Sequence, residues 1–272
     1  MLNKYFESIT DDGSVQITDD TKMYRLKSVE RLSGYFAYQG NFEFNDTDAG
    51  NGTHVGYFYK IADDDNGSDL YFIRNPFEKY VGLWTAYTVI RYSEFDYPYT
   101  DHWPNELRGW WACVHNCTKE EADNMVVYRY TTDVNKTDNH IGLELFNANG
   151  EKIFASDDKL LKIINFTQLI HTEDKNVYWT NNWTMQQPQY NFQNDFAVWM
   201  TQSSHGGAPP DKPAAYGKSS HFWLNNRSVK IAWLTRWENE HSNVRDKYWY
   251  WSSIAQNTSP CTQFVIADVS GV

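Results

Sequence analysis

The chain has 272 residues and a mass of 31.9 kDa, which is enough for one large domain or two ordinary ones. Aromatic residues make up 17% of the sequence. Because tryptophan and tyrosine bury large areas, this content predicts a folded, aromatic-packed protein and excludes a disordered one. The formal charge is −11, from 24 basic and 35 acidic residues, and no basic run could follow a phosphate backbone, so we expect no nucleic-acid partner.

The sequence also lacks the signals of a membrane or secreted protein. No stretch approaches the roughly 18 consecutive apolar residues of a transmembrane helix. The opening residues, MLNKYFESITDDGS, contain no continuous apolar segment of the kind found in a signal peptide. We therefore expect a soluble protein that is made in the cytoplasm and has no membrane partner.

In chain order, short runs rich in aromatic and β-branched residues alternate with clusters of aspartate, asparagine and glycine, a pattern typical of an all-β protein. The clearest hairpin joins residues 54–61 to residues 70–74 through a turn at Asn66-Gly67, because that dipeptide tolerates the positive φ of a tight reversal. One short helix is predicted over residues 118–124, with Thr118 as its cap. Further strands are predicted over residues 83–92, 125–131, 196–200, 229–237, 248–254 and 263–267.

An internal repeat organises these elements. Residues 7–26 align with residues 144–163 without a gap, at an offset of 137. Both segments predict a strand, a glycine turn, a short strand, an aspartate turn and a basic-apolar strand. The last strand of each half also ends in Asp-Val, at residues 133–134 and 268–269, which is an offset of 135. The identities at the first offset are Glu7/Glu144, Gly13/Gly150, Asp20/Asp157, Lys22/Lys159 and Leu32/Leu169.

We interpret the repeat as a tandem duplication, which gives two β-sandwich-like domains at residues 1–137 and 138–272. A single undivided sandwich or barrel, with a chance resemblance between its halves, is the alternative. The second domain is predicted to carry a long loop at residues 202–218, since three prolines and three glycines oppose regular structure there. Such loops lie on the surface, so this one is the best candidate for a partner-binding loop.

The residues that carry chemistry do not form a recognisable catalytic motif. His205 precedes two glycines, but the sequence contains no Gly-x-Ser-x-Gly nucleophile for it to serve. The carboxylates Glu94 and Asp96, like Glu238 and Glu240, lie two residues apart on one strand face instead of facing each other across a gap. We therefore expect no enzymatic activity and no cofactor.

Two segments have the composition of metal sites. Cys113, His115 and Cys117 are zinc-ligand types at close spacing, but no fourth ligand accompanies them. The acidic segment 63–69 has the oxygen density that calcium favours, but Ala62 would fall at the first ligand of an EF-hand loop. We predict no metal site and interpret these segments as buried or loop thiols and as a solvated turn. An irregular calcium loop is the open alternative.

Aromatic clusters are the remaining positive signal. Alternation along a strand sends neighbouring rings to opposite faces, so one face fills a core while the other meets a second sheet, a partner protein or a sugar. Packing within the core is the preferred interpretation, and contact with protein or glycan is the alternative. The candidate partner-binding residues are Trp110, Trp111, His205, Tyr216, Trp249 and Trp251.

Two segments resemble the openings of small virion proteins of bacteriophages and prophages, which are often encoded near tail-tip and tail-fibre components. These are ITDDGSVQITDD at residues 9–20 and GLELFNANGEKIFASD at residues 142–157. The resemblance covers the opening of each half. It implies a β-rich structural part of the phage particle, made in the bacterial cytoplasm and located in the virion, and it supplies no catalytic residues.

We therefore predict a non-catalytic structural or decorating protein of a bacteriophage virion, associated with the tail or the capsid. It would bind other virion proteins, in multiple copies, through strand edges and aromatic patches. The alternative is a receptor- or carbohydrate-binding module that recognises host-surface glycan through its aromatic clusters and the loop at residues 202–218. A glycan-cleaving tail enzyme ranks third.

Overall fold

The computed structural model describes residues 6–10, 13–17, 23–32, 36–44, 52–62, 69–89, 108–133, 142–146, 150, 152–170, 189–202, 205–207, 216–237 and 261–272. Strands dominate these residues and one short helix accompanies them, so the all-β prediction is confirmed. The elements are β1 (Phe6–Thr10), β2 (Gly13–Ile17), β3 (Arg25–Arg31), β4 (Phe36–Phe44), β5 (Gly52–Ala62), β6 (Leu70–Arg74), β7 (Val81–Val89), β8 (Arg108–His115), α1 (Lys119–Asp123), β9 (Val126–Thr131), β10 (Glu144–Phe146), β11 (Lys152–Ala155), β12 (Lys162–Ile170), β13 (Gln189–Asn191), β14 (Phe196–Gln202), β15 (His205–Gly207), β16 (Tyr216–Leu224), β17 (Ser228–Trp237) and β18 (Cys261–Asp268).

Two antiparallel sheets form the body of the protein. The six-stranded sheet has the order β12-β18-β14-β6-β9-β3. The large sheet has the order β13-β17-β16-β7-β8-β5-β4, with β15 paired to β16. The two sheets pack face to face, as shown by Phe222 of the large sheet, whose ring centroid lies 5.5 Å from that of Phe264 in the other. Two separate hairpins, β1-β2 and β10-β11, complete the described strands.

Both sheets contain strands from both halves of the chain. In the six-stranded sheet β6 meets β14 through the pair Ile73 and Val198. In the large sheet β7 meets β16 through three pairs that include Leu83 and Phe222. The division into two β-sandwich-like domains at residues 1–137 and 138–272 stays a prediction. In the structure the halves are joined by backbone pairing within each sheet.

The repeat seen in the sequence corresponds to a repeat in strand order. Each half contributes three strands to the six-stranded sheet. From either edge inward, the order is the first, the last and the middle of these three in the chain: β3, β9 and β6, or β12, β18 and β14. Arg25 lies opposite Thr131, and Lys162 lies opposite Asp268, so both strands of each pair are related by the same offset of 137. The register shift that follows Leu26 recurs after Ile163. Duplication itself stays a prediction, but matched register is what it would produce.

The register also corrects the alignment of the closing strands. Thr131, and not Asp133, is the counterpart of Asp268, so the shared Asp-Val ending at an offset of 135 does not mark equivalent positions. At the centre of the sheet, the pairing of Ile73 with Val198 places Phe72 opposite Trp199, and their ring centroids are 5.9 Å apart. A local two-fold axis that relates the two halves of the six-stranded sheet therefore passes between these two rings.

Most predicted strands are confirmed, but one pairing is wrong. Strands β7, β9, β14, β17 and β18 occur where the sequence predicts them. The predicted hairpin at residues 54–74 does not form, because β5 pairs with β4 and β8 while β6 pairs with β9 and β14 in the opposite sheet. The connection between them is long enough to cross from one sheet to the other. The strand predicted at residues 248–254 lies outside the described residues.

Two further predictions concern local structure. The helix is confirmed, and Thr118 caps it as expected, with a reciprocal capping box to Glu121. The irregular loop predicted at residues 202–218 has strands at both ends: His205 pairs with Ser219 and Gly207 with Gly217. Backbone hydrogen bonds between these ends overcome the unfavourable glycine content. Residues 203–204 and 208–215 lie outside the described residues. In the described part of the chain, no helix is long and apolar enough to cross a membrane.

A buried amide joins the halves between β6 and β7. Asn75 Nδ2 donates to the carbonyl of Lys79 at 2.9 Å and to that of Leu224 in the second half at 2.8 Å. Its Oδ1 accepts from the backbone of Phe77 at 2.9 Å. Because Asn75 is buried, loss of this side chain leaves backbone groups without partners in the core.

We expect the chain to unfold in one cooperative transition, because the halves share both sheets. Asn75→Ala should lower the free energy of unfolding by about 3 kcal/mol without splitting that transition, as measured by urea titration with fluorescence and circular dichroism. Asn191→Ala removes an exposed amide of β13 and should change it by less than about 0.5 kcal/mol. Two separate transitions, only one of which Asn75→Ala shifts, would show that the halves fold independently.

Candidate functional site

The structure places the predicted partner-binding residues in different environments. Trp111 is 1% exposed and packs in the core, whereas Trp110 is half-buried and its ring lies 5.7 Å from that of Trp199. His205 and Tyr216 lie on the neighbouring strands β15 and β16, where only their backbone is described. Trp249 and Trp251 lie outside the described residues. Partner binding by this set stays a prediction, and Trp111 contributes through packing.

His115 and His221 form a buried pair that the sequence did not reveal. Strand β8 carries His115, β16 carries His221, and β7 lies between these strands. His115 Nε2 and His221 Nδ1 are 3.1 Å apart, a hydrogen bond in which one ring donates and the other accepts. The ring of Trp84 stacks on His221 at 6.4 Å, and the ring of Trp223 meets His115 edge-on at 5.5 Å.

Gly82 makes room for this pair. It lies opposite His115 in the register of β7 and β8, and a Cβ atom at this position would come within 1.8 Å of His115 Cε1. Burial, and secondarily the neighbouring His115, hold the pKa of His221 well below its usual value of 6.5, so His221 is neutral near pH 7. A buried, hydrogen-bonded histidine pair among indole rings acts as a structural junction between the halves.

The thiols near this pair are poorly suited to metal binding. Cys113 is buried, and burial raises the pKa of its thiol. Burial also raises the pKa of the Cys117 thiol to about 12, with a further contribution from Glu121. Zinc requires the thiolate, which both environments disfavour. Within the described residues, no group of three or more histidine, cysteine or acidic side chains could hold a metal ion.

The acidic side chains of the sequence predictions fall into two groups. Asp69, at the end of the acidic segment, is buried beside Arg129, which donates to its carboxylate, and Lys27 Nζ lies 3.5 Å from its Oδ2. Although burial raises the pKa of Asp69, hydrogen bonds from Thr131 and Arg129 lower it below the usual value. Asp69 therefore serves as an ion-pair partner. Residues 63–68 and the paired carboxylates Glu94/Asp96 and Glu238/Glu240 lie outside the described residues.

An exposed apolar strip is the best candidate for a functional surface. Six of the eight large apolar side chains that are exposed among the described residues lie within residues 143–166. Phe166 and Ile163 are 60% and 55% exposed. Exposed apolar side chains grouped in one segment of the chain are a candidate contact surface. We call this set the apolar strip: Leu143, Phe146, Leu160, Ile163, Ile164 and Phe166.

Arg25 of β3 fixes the position of the hairpin that carries one end of the strip. Its Nη1 donates to Asp158 Oδ2 at 2.9 Å, and its Nη2 donates to the carbonyl of Ile153 at 3.1 Å. Asp158 also accepts from the backbone of Ala155 at 2.8 Å. Both charged side chains are buried, so removal of either one would leave an uncompensated charge. The hairpin β10-β11 is therefore clamped to the first half of the chain.

Backbone contacts hold the rest of the strip in place. The amide of Leu26 donates to the carbonyl of Lys159 at 2.8 Å, and that of Leu161 donates to Tyr24 at 2.9 Å, so the approach to β12 lies beside the start of β3. Leu143 exchanges hydrogen bonds with Ser156, whose backbone and hydroxyl both contact it. The exposed side chains thus project from a fixed backbone, which lowers the ordering cost of binding a partner.

The sequence contained a signal for this strip that composition alone does not show. In the aligned repeat, β3 carries charged side chains at Lys27, Glu30 and Arg31, whereas residues 163–170 of β12 carry none.

No family model, curated protein or solved structure matches the chain.

We expect Gly82→Ala to disrupt the histidine junction. The added methyl group overlaps the His115 ring, so that ring must leave its position and break the hydrogen bond to His221. The free energy of unfolding should fall by about 3 kcal/mol, as measured by urea titration. Ala112→Gly, the control, removes one methyl group from the neighbouring strand β8. It should leave the NMR resonances of the histidine side chains unchanged. Unchanged resonances and stability in Gly82→Ala would contradict the proposed junction.

We expect the histidine junction to make stability depend on pH. Because the pKa of His221 is lower in the folded than in the unfolded chain, the unfolded chain binds the proton first as the pH falls below 6.5. The free energy of unfolding should then decrease by up to about 1.4 kcal/mol per pH unit for this group. Urea titrations at a series of pH values should show a smaller slope for His221→Gln than for the unchanged chain. Equal slopes would contradict the assignment.

Proposed function

We propose that the protein is a non-catalytic structural or decorating component of a bacteriophage virion. In this role it attaches to neighbouring virion proteins through the apolar strip. The proposal combines the resemblance of residues 9–20 and 142–157 to phage virion proteins with the exposed apolar side chains at residues 143–166. The strip is the observation that carries it, because a concentrated set of exposed apolar groups favours a permanent protein contact.

The rigid support of the strip favours a structural role. Arg25 and Asp158 link the strip's hairpin to β3, and Leu26 and Leu161 link the start of β12 to the same region. A surface held in this way meets a partner without rearrangement, which suits assembly into a particle. Within the described residues β12 is an edge strand, which offers a row of backbone groups for pairing with a partner strand.

The tryptophans support attachment to protein over recognition of glycan. Among the tryptophans whose side chains are described, Trp84, Trp111 and Trp223 are buried, and Trp110 and Trp199 are half-buried. A sugar-binding platform needs an indole face that is open to solvent. The rings that the structure describes are used for packing instead, so these five tryptophans favour the virion role. Trp249 and Trp251 lie outside the described residues.

We expect the purified protein to sediment with phage particles assembled without it, whereas glycan arrays stay blank. The double variant Leu143→Ser with Phe146→Ser removes one end of the strip and should weaken particle binding about tenfold, a loss of about 1.4 kcal/mol. Val272→Ser changes another exposed apolar side chain outside the strip and should bind normally. Failure of the unchanged protein to bind any particle, or specific binding to a glycan, would overturn the proposal.

A further inference from the structure

Among the described strands, β12 is an edge of the six-stranded sheet. Of the described strands, it pairs with β18 alone. Residues 163–170 contain no charged side chain, and Ile163, Ile164 and Phe166 are all exposed. Edge strands that stay solvated usually carry charges, prolines or bulges that prevent another strand from adding. After the register shift near Ile164, β12 has none of these protections.

The equivalent strand at the other edge is protected. Strand β3 corresponds to β12 at an offset of 137, and Val29 occupies the position of Phe166. If two copies of β3 paired antiparallel about Val29, Lys27 of each copy would face Arg31 of the other, and like charges directly opposite destabilise a strand pair. The two edges thus share a backbone arrangement but differ in whether self-pairing is possible.

We propose that two copies of the chain associate through β12, which pairs antiparallel with itself about a two-fold axis at Phe166. In this register Ile164 lies opposite Gln168, and Asn165 lies opposite Thr167, so no charged groups meet within residues 163–169. Phe166 of each copy covers the other, and Ile163 approaches the partner strand. The contact is self-complementary, as a closed two-fold dimer requires.

Two copies of this negatively charged chain can associate only when salt screens the repulsion between them. Each chain carries a formal charge of −11, so two copies repel at long range. The Debye length shortens as salt rises, whereas pairing of uncharged edges does not weaken, so dimerisation should strengthen with salt. An attachment driven by opposite charges would show the reverse dependence. The salt dependence therefore distinguishes this contact from one made by the charged residues of β3.

The experiment measures the mass of the purified protein by sedimentation equilibrium. A contact smaller than a standard interface predicts a dimer with a Kd on the order of 10 µM at 0.15 M salt. Phe166→Lys brings two ammonium groups together at the axis and should raise that Kd at least tenfold. Val29→Lys introduces the same side chain at the equivalent position of the opposite edge and should leave the Kd unchanged. Circular dichroism confirms that both variants are folded.

A second measurement locates the contact. Oxidation of Phe166→Cys should produce a disulfide-linked dimer, whereas Val29→Cys and the unchanged chain should stay monomeric in denaturing gels. A chain that is monomeric at concentrations on the order of 1 mM, or a dimer that Phe166→Lys does not affect, overturns the inference. The inference extends the proposed structural role, but its test uses purified protein alone. Particle binding without dimerisation, or dimerisation without particle binding, therefore separates the two.

Discussion

The two halves of the chain meet at the middle of both sheets, where β6 lies beside β14 and β7 lies beside β16. Strand edges left open at these positions would expose rows of unpaired backbone groups and apolar side chains. Pairing them buries Phe72 against Trp199 in one sheet and seats Phe222 among core residues in the other. The core, the histidine junction and the Asn75 contact all depend on this central pairing, since each contains groups from both halves.

The two edge strands β3 and β12 share a backbone arrangement but differ in their side chains. The register of β3 with β9 is repeated by β12 with β18, including the position of the bulge. The exposed positions on these edges do not need to pack in the core, so their chemistry is not fixed by the fold. One edge carries charges and the other carries the apolar strip. The repeated register thus gives one edge strand with charged side chains and one with apolar side chains among the described strands.

The sequence predicts what depends on neighbouring residues and misses what depends on distant ones. Alternation and turn residues locate β7, β9 and β18, and the capping pattern of Thr118 and Glu121 locates the helix. Alternation does not say which strand pairs with which, so β5 and β6 were expected in one hairpin but lie in different sheets. His115 and His221 are 106 positions apart, and no local pattern brings them together. The apolar strip was missed because a run such as Ile163-Ile164 is equally typical of a buried strand.

The position of the apolar strip depends on the whole chain, although all its members belong to the second half. Arg25 of the first half holds Asp158 and Ile153, and Tyr24 and Leu26 hold the backbone that leads into β12. A second half expressed alone would lose these partners, and Asp158 would lose its ion pair with Arg25. The strip can therefore act as a rigid surface only when both halves are folded together. This dependence gives a physical reason for keeping two similar units in one chain: one unit supports the surface that the other presents.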